Sequence, residues 1–115
     1  MSEQQFSSLR EEVNAGKDDI GLLQVSPVLF QASRILIMKI LLTHAEASFK
    51  ELKHDLNLSD GNLASHLRAL EKAGYVICNK RLEGRRTVTE FILTPNGKLA
   101  YQEFMDRIKR VIDIV

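Results

Sequence analysis

The stretch from Phe49 to Tyr75 constrains the fold most, because its pattern predicts two short amphipathic helices separated by a tight break. In the second helix, Leu63, Leu67 and Leu70 recur at spacings of four and three residues, which is the period of one buried face. The opposite face is small and polar, and a helix exposes such a face when a partner lies close against it. We call it the polar face, and it consists of Gly61, Asn62, Ser65 and Arg68.

Capping residues predict where both helices begin and end. Ser48 and Glu51 match a capping box, in which the serine accepts from a first-turn N–H and the glutamate reaches back to the serine's own N–H. Ser59 caps the second helix and Gly74 ends it. The first helix is expected to turn Phe49, Leu52 and Leu56 inward and to leave Lys50, Lys53 and His54 outside or at the edge.

The rest of the chain predicts two longer helices and a hairpin. Ser26 and Pro27 favour a helix start, and the apolar residues that follow predict a helix to about residue 43. Its apolar positions cover more than one face, so it is either the central helix of the core or, as we favour, shared between the core and a partner. Residues 75–82 and 87–93 are rich in β-branched and aromatic side chains and predict two strands, with a turn at residues 83–84. Thr94 and Pro95 start a last amphipathic helix, whose apolar stripe is too long for a small core to cover.

Length, charge and cysteine content narrow the class of protein. A chain of 115 residues favours one domain with appendages. Residues 1–20 hold five acids against two bases, whereas residues 50–86 hold eight bases against five acids. A basic half beside an acidic arm is compatible with nucleic-acid binding. One cysteine, Cys78, excludes an intrachain disulfide, and the polar start without an apolar span predicts a cytoplasmic protein.

The order helix, helix, helix, strand, basic turn, strand is that of a winged helix-turn-helix. Three segments carry a closer resemblance: SPVLFQASRILIMKILL, FKELKHDLNLSDGNLASHLRALEKAGYV and FILTPNGKLAY. They resemble the MarR/ArsR-like group of prokaryotic transcriptional regulators, above all its small winged-helix members with an LSDGNLxxHLxxLExxGYV signature. The resemblance covers about residues 26–104. The wing, which is the hairpin predicted at residues 75–93, departs from the group's pattern. Thr87 and Val88 stand where a proline and a further basic residue are common.

The resemblance implies a homodimer that binds a roughly palindromic double-stranded DNA site through its third helix and its wing. The broader group often has a small-molecule effector pocket, but this sequence offers no convergence of polar residues from which to argue one. The implied recognition-helix contacts are Ser59, Asp60, Gly61, Asn62, Ser65, Arg68 and Lys72. The implied wing contacts are Lys80, Arg81, Arg85 and Arg86, and the implied dimer contacts are Tyr101, Phe104, Met105, Ile108, Val111, Ile112 and Val115.

Several residues allow a plainer interpretation than DNA contact. Ser59 and Asp60 suit the positive end of a helix, so capping alone explains both, although Asp60 could also accept from a cytosine amino group. Lys50 and Lys72 are phosphate contacts or solvated charges. His66 borders the buried stripe, which favours a structural histidine over a base-reading residue or a metal ligand. His54 and Asp55 are expected to form a surface pair, and His44 has no partner at the spacing of metal ligands. Cys78 is expected to be a small core residue rather than a redox switch.

The sequence therefore predicts a mainly α protein with a small β-hairpin wing, an α+β winged helix-turn-helix with extra terminal helices. Residues 1–25 would form an arm with a short helix contributing to dimerisation, residues 26–94 the DNA-binding domain, and residues 95–115 an amphipathic dimerisation helix. The expected function is transcriptional regulation, with repression favoured, and the alternative is an interaction module without DNA binding. We expect no enzymatic activity, cofactor, metal or membrane association.

Overall fold

A computed structural model of the chain describes residues 27–114. The predicted arm at residues 1–25 and the predicted dimer contact Val115 lie outside the described residues. The elements are a 3-10 turn at Pro27–Leu29, helix α1 at Ala32–His44, strand β1 at Glu46–Ser48, helix α2 at Phe49–Leu56, helix α3 at Asp60–Lys72, strands β2 at Val76–Glu83 and β3 at Arg86–Leu93, and helix α4 at Pro95–Ile114. This order confirms the predicted winged-helix α+β fold.

The three strands form one antiparallel sheet in the order β1-β3-β2. The hairpin between β2 and β3 turns at Gly84, whose φ of 65° is a conformation that glycine adopts without steric cost. Strand β1 was not predicted, since three residues are too few to show an alternating pattern. Its Ala47 pairs with Phe91, so β1 covers the edge of β3 opposite to β2.

The prediction for the first helix was wrong at its start. Pro27 begins a 3-10 turn rather than an α-helix, and α1 starts five residues later, at Ala32. The break buries Leu29 in the core and places the ring of Phe30 edge-on to Phe104, with 5.3 Å between ring centroids. Burial of Leu29 and the ring contact of Phe30 with Phe104 therefore outweigh continuity of the helix.

The core lies between the three helices of the domain, the sheet and the first half of α4. The predicted stripe of α3 is fully buried there, which is the arrangement that its spacing requires. The core residues are Leu29, Ile37, Met38, Leu41, Ala47, Leu52, Leu63, Leu67, Leu70, Val76, Phe91 and Phe104.

Both serine caps form as predicted. The Ser48 hydroxyl accepts from the backbone N–H of Glu51 at 3.0 Å, and that of Ser59 accepts from the N–H of Asn62 at 3.2 Å. The reciprocal half of the capping box differs, because the Glu51 carboxylate accepts from the serine hydroxyl at 3.1 Å. Ser48 is also the last residue of β1, where it pairs with Glu90. Asn57 ends α2 in the left-handed conformation, with a φ of 51°.

Four element ends meet at a cluster that we call the Thr94 junction, which consists of Gly74, Tyr75, Thr94 and Gly97. The Thr94 hydroxyl donates to the carbonyl oxygen of Gly74 at 2.6 Å and accepts from the N–H of Gly97 at 2.9 Å. The backbone N–H of Thr94 donates to the carbonyl oxygen of Tyr75 at 3.0 Å. These bonds tie the segment after α3 to the start of α4.

Candidate nucleic-acid interface

The polar face of α3 is exposed over its whole length. All seven residues predicted for the recognition helix are exposed or half-buried at the surface: Ser59, Asp60, Gly61, Asn62, Ser65, Arg68 and Lys72. Apart from the adjoining backbone of α3 itself, a Cβ built on Gly61 would meet no atom of residues 27–114 within 4 Å, so no packing contact among these residues requires glycine there. The buried stripe of α3 thus holds the polar face outward as a continuous surface.

A lysine of α2 offsets the one acid at the start of α3. The Lys53 ammonium lies 2.9 Å from the Asp60 carboxylate, and both side chains are largely exposed. Such a pair adds little stability, but it cancels the charge with which Asp60 would otherwise repel a phosphate. The acid at the head of the polar face is therefore compatible with a polyanionic partner.

The wing divides into paired and unpaired cations. Glu90, which is only 8% exposed, accepts from the Nε of Arg81 at 2.9 Å and lies 2.8 Å from its Nη2. This hydrogen bond and the charge of Glu90 raise the pKa of Arg81, to which Glu83 contributes less at 3.5 Å. Arg81 is thus held within the sheet, which reduces its freedom to serve as the predicted wing contact.

The other three wing cations are exposed at and near the turn. Within residues 27–114, no ion pair involves Lys80, Arg85 or Arg86. Leu82 lies beside them and is 76% exposed. The hairpin therefore carries three exposed cations that no ion pair within the described residues neutralises.

Lys50 of α2 and Arg86 of the wing line the same cleft. The cleft has a volume of about 580 Å³ and lies between the start of α2 and β3. Its other lining residues include Ser48 and Thr89. The fold thus brings together two cations that are far apart in sequence, with one acid, Glu83, lining the same cleft.

His66 has an internal partner, in agreement with its interpretation as a structural histidine. Its Nδ1 accepts from the Nε of Arg34 at 3.1 Å, and the Nη1 of Arg34 donates to the carbonyl oxygen of Val28 at 3.3 Å. Burial, and then the neighbouring guanidinium, lower the pKa of His66 below its ordinary value of 6.5. Arg34 was not predicted as a partner of His66, although a cation between Ala32 and Ile35 in an apolar run is a signal that could have indicated it.

The predicted dimer contacts on α4 separate into two groups. Phe104 is buried in the core of its own chain, and Tyr101 and Ile108 pack against that core, so these side chains have little surface for a second copy. Met105 and Ile112 are exposed, by 38% and 66%. Val111 is half-buried.

The other histidine and cysteine candidates do not form a metal site in the part of the chain that the structure describes. Within residues 27–114, no group of three or more His, Cys, Asp or Glu side chains is placed to hold a metal ion. The Nδ1 of His54 lies 3.4 Å from the Asp55 carboxylate at the surface, and Cys78 is half-buried. Over the same residues, every helix is too short or too polar to span a bilayer.

The chain is similar to known proteins at the level of sequence and of fold. Residues 33–112 match the family described as winged helix DNA-binding domain. An uncharacterized protein of Methanocaldococcus jannaschii is 35% identical over 75 residues, which cover 65% of this chain and 82% of that protein. A transcriptional regulator homologue from Pyrococcus horikoshii is 33% identical with a TM-score of 0.73, over 84% of this chain and 92% of that chain.

A more distant structure extends the likeness of fold. A mutant MarR from E. coli, solved in complex with operator DNA, has a TM-score of 0.61 at 22% identity, over 93% of this chain and 79% of that chain. The likeness to MarR concerns the fold alone. Because the family match extends over well more than half of its length, the chain belongs to the winged helix DNA-binding domain family, whose fold is that of DNA-binding transcriptional regulators rather than enzymes.

Proposed function

We propose that this chain is a sequence-specific regulator of transcription that binds double-stranded DNA as a homodimer on a roughly palindromic site and acts as a repressor. The observation that carries the proposal is the exposed polar face of α3, held outward by a fully buried leucine stripe. A recognition helix of this fold enters the DNA major groove, where polar side chains meet base edges. A dimer bound over a promoter would block access to it.

Gly61 supports close approach of a partner to α3. Glycine within a helix costs up to about 1 kcal/mol relative to alanine. Outside the adjoining backbone of α3, no atom of the described residues lies within 4 Å of the position that a Cβ would take, so packing within this part of the chain does not explain the glycine. Close passage of a DNA backbone or base edge over the first turn of α3 explains why a side chain would be unfavourable there.

The proposed DNA contacts are of two kinds, contacts to bases and contacts to phosphates. Asn62 and Arg68 are proposed to contact bases, since an amide pairs with adenine and a guanidinium with guanine. Ser59, Asp60, Ser65 and Lys72 would lie along the same groove. Lys50 and three wing residues, Lys80, Arg85 and Arg86, are proposed to contact phosphates, which fix the register of the protein without reading sequence.

Exposed apolar residues support the homodimer. Met105 and Ile112 of α4 stay exposed, as do Leu99 of α4 and Leu36 of α1. A second copy would cover them, and Val111 lies on the same helix. The dimerisation segment is proposed at residues 95–115, with its first half also packing on the DNA-binding domain at residues 26–94. Tyr101, Phe104 and Ile108 would then stabilise the chain that carries them rather than the contact between copies.

Selection of bound sequences from a random duplex library tests the function directly. We expect enrichment of an inverted repeat whose half-sites lie about 34–36 Å apart, which is one turn of DNA. Sedimentation of the unbound protein at micromolar concentration should give the mass of two chains. No enriched sequence, together with a stable stoichiometric complex with another protein, would favour the interaction module instead.

Removal of the wing cations should weaken the salt dependence of DNA binding. For Arg85→Ala combined with Arg86→Ala, we expect the slope of log K against log salt to become shallower by about 1.8, or about 0.9 for each phosphate that is no longer neutralised. The measurement is a titration of the selected duplex at several salt concentrations. Lys39→Ala combined with Lys109→Ala removes two exposed cations from α1 and α4, outside the wing, and serves as the control. An equal change in both double variants would refute phosphate contact by the wing.

A further inference from the structure

The guanidinium of Arg34 joins three parts of the chain. Its Nε donates to the Nδ1 of His66 on α3 at 3.1 Å, and its Nη1 donates to the carbonyl oxygen of Val28 in the 3-10 turn at 3.3 Å. The bond between the two side chains is partly buried. Within residues 27–114, this is the only hydrogen bond between side chains of α1 and α3.

This bond restrains α3 in a way that the core does not. The core cluster that holds α3 through Leu63, Leu67 and Leu70 is apolar, and apolar attraction has no preferred direction. A hydrogen bond depends on both distance and angle, so it resists small slides and rotations of the helix. His66 follows Ser65 directly and lies one helical turn after Asn62, so a movement of its backbone also moves the polar face.

We propose that Arg34 and His66 are positioning residues that set the orientation of the polar face on DNA, and that they do so only while His66 is uncharged. The inference rests on the proposed DNA-binding function. Neither residue would touch a base. Their effect would be on discrimination between sequences, which depends on the placement of Asn62 and Arg68, more than on attraction to phosphates.

The chemistry of the pair explains the requirement for an uncharged ring. A guanidinium has only donors, so His66 must offer a lone pair at Nδ1 and carry its proton at Nε2. A second proton would bind at Nδ1, replace the acceptor by a donor, and place two cations beside each other. The hydrogen bond would then be lost and α3 would keep only its apolar contacts on that side.

The electrostatic surroundings of His66 are simple. Of the charged groups on α1, α2, α3 and the sheet, Arg34 is the one whose charge shifts the pKa of His66, and it acts in the same direction as burial. The folded chain therefore binds this proton less tightly than the unfolded chain. The contribution of His66 to the free energy of unfolding is therefore fully present above pH 6.5. It decreases as the pH falls from 6.5 to the lowered pKa of His66 in the folded chain.

Three variants separate the bond from the charge. Arg34→Met removes all donors and keeps an unbranched side chain, whereas Lys39→Met removes one exposed cation from the same helix as a matched control. His66→Asn places an amide oxygen near the position of Nδ1 and cannot be protonated. Affinity is measured for the duplex recovered by selection and for a random-sequence duplex, between about pH 5 and pH 8, the range in which histidine titrates.

For wild type, we expect the ratio of specific to random-sequence affinity to fall as the pH drops below 6.5. Arg34→Met should lower this ratio about tenfold at the alkaline end of the range, the size expected for one charge-assisted hydrogen bond. Lys39→Met should leave the ratio unchanged. His66→Asn should retain most of the ratio at the alkaline end and show no fall at low pH.

NMR titration of the three histidines provides a test that needs no DNA. The signal that is missing in His66→Asn identifies His66, and its pKa should rise in Arg34→Met but not in Lys39→Met. An unchanged pKa in Arg34→Met, or equal affinity ratios in Arg34→Met and Lys39→Met, would overturn the proposal. If the selection recovers no duplex, the proposed function fails, whereas the NMR result still decides whether Arg34 restrains His66.

Discussion

Gly97→Ala should destabilise the protein by about 3 kcal/mol, the upper part of the range for overpacking a buried site. Gly97 is buried in the first turn of α4. A Cβ there would collide with the carbonyl oxygen of Tyr75 and would lie 2.8 Å from the Cδ1 of Leu93. That carbonyl is backbone and already accepts from the N–H of Thr94, so it cannot move without breaking the Thr94 junction. Urea unfolding at fixed protein concentration measures the decrease.

Gly61→Ala is the matched control for this substitution. Gly61 also lies in the first turn of a helix, but among residues 27–114 only the backbone of α3 itself lies near the position that an added Cβ would take. Alanine should therefore stabilise the unbound protein by up to about 1 kcal/mol, because it favours helix. Equal unfolding free energies for wild type and Gly97→Ala would show that α4 moves freely and that the junction is not tightly packed.

Asn62→Ala combined with Arg68→Ala should abolish most sequence discrimination. Each bidentate base contact contributes about 1–3 kcal/mol, so loss of the pair should lower specific affinity by roughly 30-fold to 20,000-fold. Both side chains are exposed, so stability should stay close to that of wild type. Competition between the selected duplex and random-sequence DNA measures the effect.

The control removes the same types of side chain elsewhere on the surface. Asn96→Ala combined with Lys39→Ala takes away one exposed amide and one exposed cation from α4 and α1. It should change affinity for both DNAs little and equally. If the Asn62 and Arg68 variant discriminates as well as this control does, α3 does not read bases through these residues.

Helices with local signals at their ends were predictable from sequence. Serine caps at Ser48 and Ser59 and the left-handed Gly74 depend on residues next to each other, so α2 and α3 were predicted within a residue or two. The start of α1 was not predictable, because it depends on packing of Phe30 against Phe104, which lies far along the chain. Strand β1 likewise depends on its partner β3.

In the candidate site, too, features that depend on neighbouring residues were predictable, whereas contacts between distant residues were not. Exposure of the polar face followed from the leucine spacing of α3, which is local information. The pairs that adjust the site join separate elements, Arg81 with Glu90 across the hairpin and Arg34 with His66 between helices. No periodicity reports such pairs. Sequence therefore indicated which surface faces a partner, but not which of its charges are already engaged.

The Thr94 junction has a mechanical consequence for the proposed dimer. It acts as a pivot between the helix that would read DNA and the helix that would meet the second copy. Since α4 runs for about 26 Å beyond Gly97, a rotation of about 5° at that residue would displace its far end by roughly 2.2 Å. The angle held by one threonine and one glycine would thereby set the distance between the two α3 helices, and with it the spacing of the half-sites that the dimer accepts.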